Sequence, residues 1–407
     1  MLRQSIKSIS VFVGSIAIAT VAAAADDGKA DGKALKVGNA DVTMSGGFRT
    51  EWAHTTNGLG KVDTGGKDSK SSAFGVEYMK VKFGGKLNSD VDFKFQLNLL
   101  NSKWSYGNPA DLVDAAEGTW WASKMFGFTM GKSRVNQDGW NGKDGGGVAN
   151  IWGKSPYVTP FKTYSHGLSV HMNPGDAGKV TLQLMNDITT KSGPVLQTSI
   201  DGKSGTNTSN RPGTWNQTSK QPAAIIEYTG EFGPISPILQ VGQYDMNHSR
   251  FVDVGARFAM SDLSVTFDYL MDNYSQKVAK ASGDGFESKN LTFTDISLRT
   301  EYTMKGLAKP FLWVNSYTRS NEKDSVAADD VKANTNPTGN VACSAVKACF
   351  DDNAMSLSVG SYILAMGDGW SPYVVYRSVS GKFFKAASAD TATGSNNTIA
   401  IGAIGSF

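Results

Sequence analysis

The sequence predicts an all-β fold, a transmembrane antiparallel β-barrel of about 16 strands with short turns at one rim and long loops at the other. Three observations predict it. Apolar and polar residues alternate along many segments of strand length. The connections between these segments alternate between short and long, and the last segment alternates up to an aromatic residue, Phe407. No apolar stretch after residue 25 is long enough for a membrane helix, so a membrane-embedded chain must close its sheet.

The first predicted strand shows the pattern that the other strands share. Val42, Phe48 and Trp52 share one face, and Arg49 and Glu51 lie on the other. Because side chains alternate along a strand, one face of this segment is apolar and the other is polar. The same alternation predicts sixteen strands, at 42–52, 78–87, 91–99, 115–123, 126–133, 163–173, 180–186, 223–232, 236–247, 251–259, 263–273, 291–303, 310–319, 354–366, 370–379 and 397–407.

The connections support a barrel more strongly than the strands do. Short turns fall at 88–90, 124–125, 174–178, 233–235, 260–262, 304–309 and 367–369, and long polar loops at 53–74, 134–162, 187–222, 274–290, 320–353 and 380–396. Outer-membrane barrels have short periplasmic turns and long extracellular loops. A β-propeller would repeat a motif every 40 to 50 residues or so, and no such repeat is visible.

The N-terminus predicts export. Arg3 and Lys7 precede an apolar run, and a small-residue stretch, 22–25, precedes Asp26. This order is typical of a cleaved signal peptide at 1–25, although an uncleaved anchor is the alternative. We therefore expect a signal peptide at 1–25, a short N-terminal segment at 26–41 and a barrel at 42–407.

Charge and cysteine content narrow the class of protein further. Losing Arg3 and Lys7 lowers the net charge from +3 to +1, which gives no bulk signature of nucleic-acid binding. Cys343 and Cys349 lie close together in a polar segment, and an oxidising compartment favours a disulfide between them over two free thiols.

Aromatic residues lie mostly near predicted strand ends, where headgroup-level girdles form in membrane barrels. Core packing is the alternative for any one of them. The predicted girdle consists of Trp52, Tyr78, Trp120, Trp121, Tyr157, Tyr228, Tyr244, Tyr269, Tyr302, Trp313, Tyr317, Trp370 and Tyr373.

The sequence shows no catalytic or metal-binding signature, so we predict no enzyme, no cofactor and no metal. The four histidines have no metal-ligand spacing, and neither a Gly-x-Ser-x-Gly elbow nor a His-Glu-x-x-His motif is present. Gly202, Lys203 and Ser204 resemble the end of a phosphate-binding loop, but Gln197 stands where that loop needs glycine.

Lysines dominate the polar face of the first three predicted strands. The expected pore-lining residues are Arg49, Lys80, Lys82, Lys86 and Lys94. A barrel of this size encloses an aqueous channel, and cations along one wall lower the barrier to anions. The alternative is that acids elsewhere in the lumen balance them, namely Glu51, Asp92, Asp253, Asp268, Asp295 and Glu301.

The loop at 134–162 follows the fifth predicted strand and contains a run of three glycines, 145–147. Glycines allow tight reversals, so the loop can fold back into the lumen and form a constriction. A surface loop is the alternative. If it folds inward, Asp138, Lys143 and Asp144 are the candidates to meet the permeant.

The segments 77–87 and 92–96 resemble the second and third strands of the phosphate-selective porin O/P family. The segments 112–115 and 128–132 resemble its Asp-Ala strand start and its glycine-containing fifth strand. The chain departs from that family at 77–80, where the family is arginine-rich, and at 133–135, where it has proline. The resemblance implies a sixteen-strand outer-membrane porin and a homotrimer.

From these observations we expect a channel in the cell outer membrane for passive diffusion of small hydrophilic solutes and ions, with a preference for anions. Its other partners would be outer-membrane lipid and the outer-membrane assembly machinery, with no nucleic acid. A channel specific for phosphate or another small anion is the alternative, followed by a barrel enzyme or an adhesin.

Overall fold

A computed structural model describes residues 35–37, 40–57, 69–99, 112–143, 157–158, 164–175, 178–186, 195–196, 222–243, 250–279, 286–321, 352–364, 369–385 and 390–406. The predicted signal peptide, the cysteine pair and Phe407 lie outside these residues. Of the predicted segment 26–41, the described part includes the short strand Leu35–Val37, which pairs with residues 40–42.

Within the described ranges, sixteen strands form the barrel. They are β1 (Ala40–Asn57), β2 (Ser69–Lys86), β3 (Val91–Asn98), β4 (Val113–Trp121), β5 (Phe126–Arg134), β6 (Tyr164–Met172), β7 (Lys179–Met185), β8 (Ala223–Thr229), β9 (Ile235–Gln243), β10 (Arg250–Met260), β11 (Leu263–Ala279), β12 (Phe286–Tyr302), β13 (Ala308–Asn321), β14 (Asp352–Ile363), β15 (Trp370–Lys385) and β16 (Asp390–Ser406). A short helix, α1 (Gly139–Lys143), follows β5. Tyr157–Val158 and Val195–Leu196 pair in a separate two-stranded sheet. Among the described residues, no helix is long and apolar enough to cross a membrane.

The sheet closes on itself. Each strand pairs antiparallel with its neighbours in the chain, and β16 pairs with β1, in a register that sets Ile401 opposite Trp52 and Ser406 opposite Gly47. This confirms the predicted sixteen-strand barrel and the predicted closure of its sheet. Closure leaves no open sheet edge, so the backbone groups of every barrel strand have a partner strand on both sides.

The two faces of each strand differ as alternation predicts. Val254 on β10 and Ile401 on β16 are 45% and 54% exposed on the outside, whereas their neighbours Asp253 and Ala400 point inward and are 0% exposed. Exposed apolar side chains recur at alternate positions on most strands, and the inward positions between them are largely polar. The outer surface is therefore apolar and the interior is polar.

Several strands are longer than the alternation predicted. β11 and β12 remain paired as far as Ala279 and Phe286, inside the predicted loop at 274–290. Likewise β15 and β16 pair from Lys385 and Asp390 onwards, inside the predicted loop at 380–396. In the sequence of these extensions, apolar and polar residues no longer alternate regularly, whereas backbone pairing continues.

The girdle prediction was wrong for Trp313, Tyr317 and Tyr373, which point inward and are at most 2% exposed. Trp313 and Tyr373 pack with Phe311, Val375 and Ala400 in one inward-facing cluster. The run 311–314 is apolar on both faces, which hides the alternation there. Trp121 also points inward, since its Nε1 donates a hydrogen bond to Asp92.

Replacing Val254 by arginine places a charge on the outer face of β10. If this face lies in hydrocarbon, Val254→Arg lowers the free energy of unfolding in lipid vesicles by about 2–4 kcal/mol near the bilayer midplane. Val254→Ala is the matched control for lost packing alone. Equal stability of the two variants would show that this face does not contact lipid chains.

Candidate functional site in the barrel interior

We call Lys80, Lys82, Lys86 and Lys94 the lysine wall. Lys80, Lys82 and Lys86 lie at even-numbered positions of β2, with Gly84 between the last two, and Lys94 lies on β3. All four share the inward face. Lys82 lies opposite Ser45 on β1 and Gln96 on β3, two polar side chains of that face. Alternation in the sequence alone placed these side chains together.

Three of the four wall lysines pair with acids one or two strands away. Lys86 Nζ lies 2.9 Å from Asp92 Oδ1, and Lys94 Nζ lies 3.2 Å from Glu117 Oε1, each pair being directly opposite in register. Lys80 Nζ lies 3.5 Å from Asp114 Oδ2. These pairs leave much of the wall electrically neutral, as the alternative interpretation of the sequence expected for Asp92.

Lys82 differs from the other three in its charged neighbours rather than in its exposure. Its side chain is exposed, and within the part of the chain that the structure describes it forms no salt bridge. The charged groups that interact with it most strongly are Lys80, Lys94 and Arg134, all of them cations. Lys82 is therefore the centre of a positive region on this wall.

Arg49 lies on the inward face of β1 but is only 6% exposed, unlike the wall lysines. Glu51, two residues further on, is equally buried and accepts a hydrogen bond from the Tyr373 hydroxyl. Of the five predicted pore-lining residues, the structure brings four together as the lysine wall, and Arg49, opposite Tyr78 on the neighbouring strand, is buried rather than open to the lumen.

The loop after β5 turns inward at Asp138 and Gly139, whose φ angles are 63° and 52°. A Cβ at Gly139 would collide with Oδ1 of Asp268 and lie 2.8 Å from Oδ1 of Asp253. Both the left-handed backbone and the lack of space favour glycine at this position. This turn lets α1 lie directly against the inner surface of the barrel.

Asp268 on β11 anchors the first turn of α1. Its Oδ1 and Oδ2 accept hydrogen bonds from the backbone N–H groups of Trp140 (3.0 Å) and Asn141 (2.9 Å). Gln240 on β9 accepts a third from the N–H of Gly139 at 2.9 Å. Together they satisfy donors that have no partner within so short a helix.

The other end of α1 is held by charge. Lys143 Nζ lies 2.7 Å from Oε1 of the buried Glu227 on β8, whose Oε2 accepts a hydrogen bond from Gln240 Nε2. The guanidinium carbon of Arg257 on β10 lies 4.2 Å from the centroid of the Trp140 ring. The indole Nε1 of Trp140 donates to the carbonyl oxygen of Ser236.

These contacts fix where α1 lies in the ring of strands. It packs against β9, β10 and β11, and β10 and β11 are eight strands away from β2 and β3 in a ring of sixteen. The helix therefore lies on the side of the barrel opposite the lysine wall. Asp138 and Lys143 belong to this inward segment, and Asp144 lies outside the described residues.

Sequence reasoning missed the residues that hold the loop. Asp268, Gln240 and Glu227 occupy inward positions, and alternation marks them as polar lumen residues. Their partners lie about 80 to 130 positions away in the chain, however, and no pattern in one sequence connects such distant positions.

Among the described residues, no group of three or more His, Cys, Asp or Glu side chains is arranged as a ready-made metal site. His171 points inward, where its Nε2 lies 2.7 Å from Thr129 Oγ1 and its Nδ1 lies 3.2 Å from Thr181 Oγ1. Both ring nitrogens of His171 are hydrogen-bonded to hydroxyl groups of neighbouring strands, so this side chain is held within the barrel wall.

No protein-family model and no curated protein matches the chain, so the resemblance to the phosphate-selective porin O/P family is not confirmed. Solved structures do match. The outer-membrane channel DcaP of Acinetobacter baumannii matches with a TM-score of 0.58 at 13% identity, over 92% of this chain and 99% of that one.

In-vitro folded OmpT, an outer membrane protein of Vibrio cholerae, matches with a TM-score of 0.56 at 12% identity, over 92% of this chain and all of that one. An anion-selective porin from Comamonas acidovorans matches with a TM-score of 0.53 at 10% identity, over 90% and 100%. At these identities the likeness establishes the fold, a porin-type barrel.

Removing the Asp268 carboxylate tests the anchor. In Asp268→Ala, two backbone N–H groups of α1 lose their acceptor, at a cost of about 1–3 kcal/mol, so amide exchange at 140–141 speeds up by roughly 10–100-fold. Hydrogen–deuterium exchange measures this. Asp262→Ala removes a partly exposed acid from the turn between β10 and β11 and is the control; equal protection of α1 in both variants would refute the anchor.

Proposed function

We propose that the protein is an outer-membrane porin, a non-enzymatic, water-filled channel through which small hydrophilic solutes and ions diffuse passively. The observation that carries this proposal is the closed barrel with an apolar outer face and a polar inner face. An exposed apolar surface of this extent is stable only against another apolar phase, such as lipid. The porins and channels among the structural matches support the same function and location.

The position of α1 supports a constricted channel. A helix tied to β9, β10 and β11 narrows the lumen from one side and leaves the lysine wall on the other. Permeating solutes then pass between the two. In this proposal Asp138 and Lys143 belong to the constriction, and the exposed lysine wall lines the path.

We further propose that the channel prefers anions, and that Lys82 contributes most to this preference. Lys80, Lys86 and Lys94 each lie near a carboxylate, so their charges are largely compensated. Lys82 lies among cations and is exposed, so it presents a net positive field to passing ions. The anion-selective porin among the matches is consistent with this preference but shows only the fold.

A homotrimer is the proposed assembly. One of the structural matches is a trimer form of OmpT, with a TM-score of 0.52 at 11% identity, over 90% of this chain and 99% of that one. Membrane lipid and the assembly machinery of the outer membrane are the other proposed partners.

Reversing the charge of Lys82 tests the preference. A two-unit change at about 8 Å from the ion path alters the energy of a monovalent ion by about 1 kcal/mol in water, with opposite sign for anions and cations, so the anion-to-cation permeability ratio falls by up to about 30-fold at low salt. Reversal potentials in planar bilayers under a salt gradient should therefore shift towards cations in Lys82→Glu.

Lys305→Glu makes the same change on a turn whose lysine side chain is 82% exposed, and it is the matched control. A cation preference of the wild type would contradict the assignment, and so would equal shifts in the two variants. Current block by millimolar phosphate, in place of conductance that rises with salt, would favour the anion-specific alternative.

Neutralising the acids that pair with the lysine wall should shift selectivity towards anions, the reverse of the effect expected for Lys82→Glu. In Asp114→Asn with Glu117→Gln, Lys80 and Lys94 lose their carboxylate partners, so the anion preference increases in the same reversal-potential assay. Asp262→Asn neutralises an acid on a turn and should leave selectivity unchanged. An unchanged reversal potential in the double variant would show that these pairs lie away from the ion path.

A further inference from the structure

Trp121 lies along the inner wall at the short-turn end of the barrel. It is the last residue of β4, and its indole Nε1 donates a hydrogen bond to Asp92 Oδ2 on β3 at 2.8 Å. The six-membered part of the ring extends the other way, over Gly127 on β5, which is directly opposite Trp121 in register. The side chain therefore lies flat across three neighbouring strands.

Gly127 makes this orientation possible. A Cβ at Gly127 would lie 2.6 Å from Cε3 and 2.7 Å from Cζ3 of Trp121, and its three nearest atoms all belong to the indole. The φ angle of Gly127 is not positive, so close approach of the ring, and not backbone conformation, favours glycine here. Because one face of the indole covers Gly127 and the side chain is only half-buried, the opposite face is open to the lumen.

A histidine and a lysine border the indole on the β6 and β7 side. His171 is directly opposite Gly127 in register, and its ring centroid lies 6.0 Å from that of Trp121, with 33° between the ring planes. Lys179 begins β7, two residues before Thr181, which is hydrogen-bonded to His171. Residues two apart share one face of a strand, so Lys179 also points inward. It is exposed and acts electrostatically on His171, which places a cation near the edge of the aromatic surface.

The charge of Lys179 is not balanced locally. The carboxylate that interacts with it is Glu227, which is already bound to Lys143 at 2.7 Å, and Lys143 interacts with Lys179 as well. Within the residues that the structure describes, Lys179 forms no salt bridge. One carboxylate thus faces two ammonium groups. An anion that approaches the indole from the lumen meets a positive field on this side.

We propose that Trp121 and Lys179 form a binding site for small organic anions that carry a flat apolar ring, such as aromatic carboxylates. The ring of the anion stacks on the open face of the indole, and its carboxylate is attracted by the ammonium group of Lys179. This site rests on the proposed function and names a class of solute that the channel favours. It differs from Lys82, which attracts anions by charge alone.

Fluorine NMR of the folded protein in detergent tests the site without requiring conduction. The resonance of para-fluorobenzoate should broaden when wild-type protein is added, and unlabelled benzoate should restore its width. Trifluoroacetate, an anion without a ring, should broaden much less. Trp121→Leu should weaken the binding of para-fluorobenzoate by about 2–10-fold, the range expected for the loss of one aromatic pair. Lys179→Gln, altered at an exposed position, should also weaken it and provides a second variant if Trp121→Leu does not fold.

The adjacent tryptophan provides a matched control. Trp120 is 53% exposed and stacks with Phe128 on the outer face, so Trp120→Leu removes an indole one residue away without altering the lumen. Lys305→Gln removes a lysine from an exposed turn and is the control for charge. Both controls should bind para-fluorobenzoate as the wild type does. In planar bilayers, benzoate should reduce the chloride current of the wild type and of Trp120→Leu more than that of Trp121→Leu.

The outcomes separate this site from the channel itself. Equal binding of para-fluorobenzoate by the wild type, Trp121→Leu and Lys179→Gln would overturn the site, and so would equal broadening of trifluoroacetate. Conduction without ring-selective binding would refute the site alone. Ring-selective binding by a protein that does not conduct would support the site and refute the proposed channel.

Discussion

Pairing between β16 and β1 is the constraint on which the rest of the structure depends. Because it closes the sheet, every barrel strand has a partner on both sides and one face that points inward. An apolar exterior and a polar interior can then coexist in a chain whose mean hydropathy is only −0.27. Without closure, the same alternation would leave two strand edges with unpaired backbone groups.

Closure also determines which charges can meet. In a ring of sixteen strands, β2 and β3 lie opposite β10 and β11, so the lysine wall lies across the lumen from Asp253 and Asp268. The acids on the far side act mainly on α1: Asp268 accepts its first backbone bonds and Glu227 binds Lys143. The acids on the near side, Asp92, Asp114 and Glu117, pair with the lysines. The acids of the lumen thus have two roles. Those on the far side hold the loop that contains α1, and those on the near side partly neutralise the lysines that line the proposed ion path.

Much of the fold was predictable from the sequence, for physical reasons. Strand period, turn length and the polarity of each face are local properties, so sixteen strands and the inward direction of Lys82 follow from alternation alone. Strand ends were less predictable, because β11 and β12 continue pairing where apolar and polar residues no longer alternate. Trp313 was misassigned because residues on either side of it are also apolar.

The candidate site was also predictable from the sequence only in part. The lysine wall follows from one hairpin, whereas its ion pairs with Asp114 and Glu117 depend on side-chain geometry across strands. Those pairs single out Lys82, which the sequence could not distinguish from Lys80 or Lys86. Asp268 and Gly139 are more than a hundred residues apart, and only the closed fold brings them together.

The proposed function depends on Lys82 facing an open aqueous path across from α1. The most direct measurement is the current through single channels while a negatively charged, water-soluble thiol reagent is added to Lys82→Cys, with Cys343 and Cys349 replaced by serine. We expect rapid modification and a stepwise change in current, with no reaction at Val81→Cys on the outer face. An unreactive Lys82→Cys, or a current that modification leaves unchanged, would contradict it.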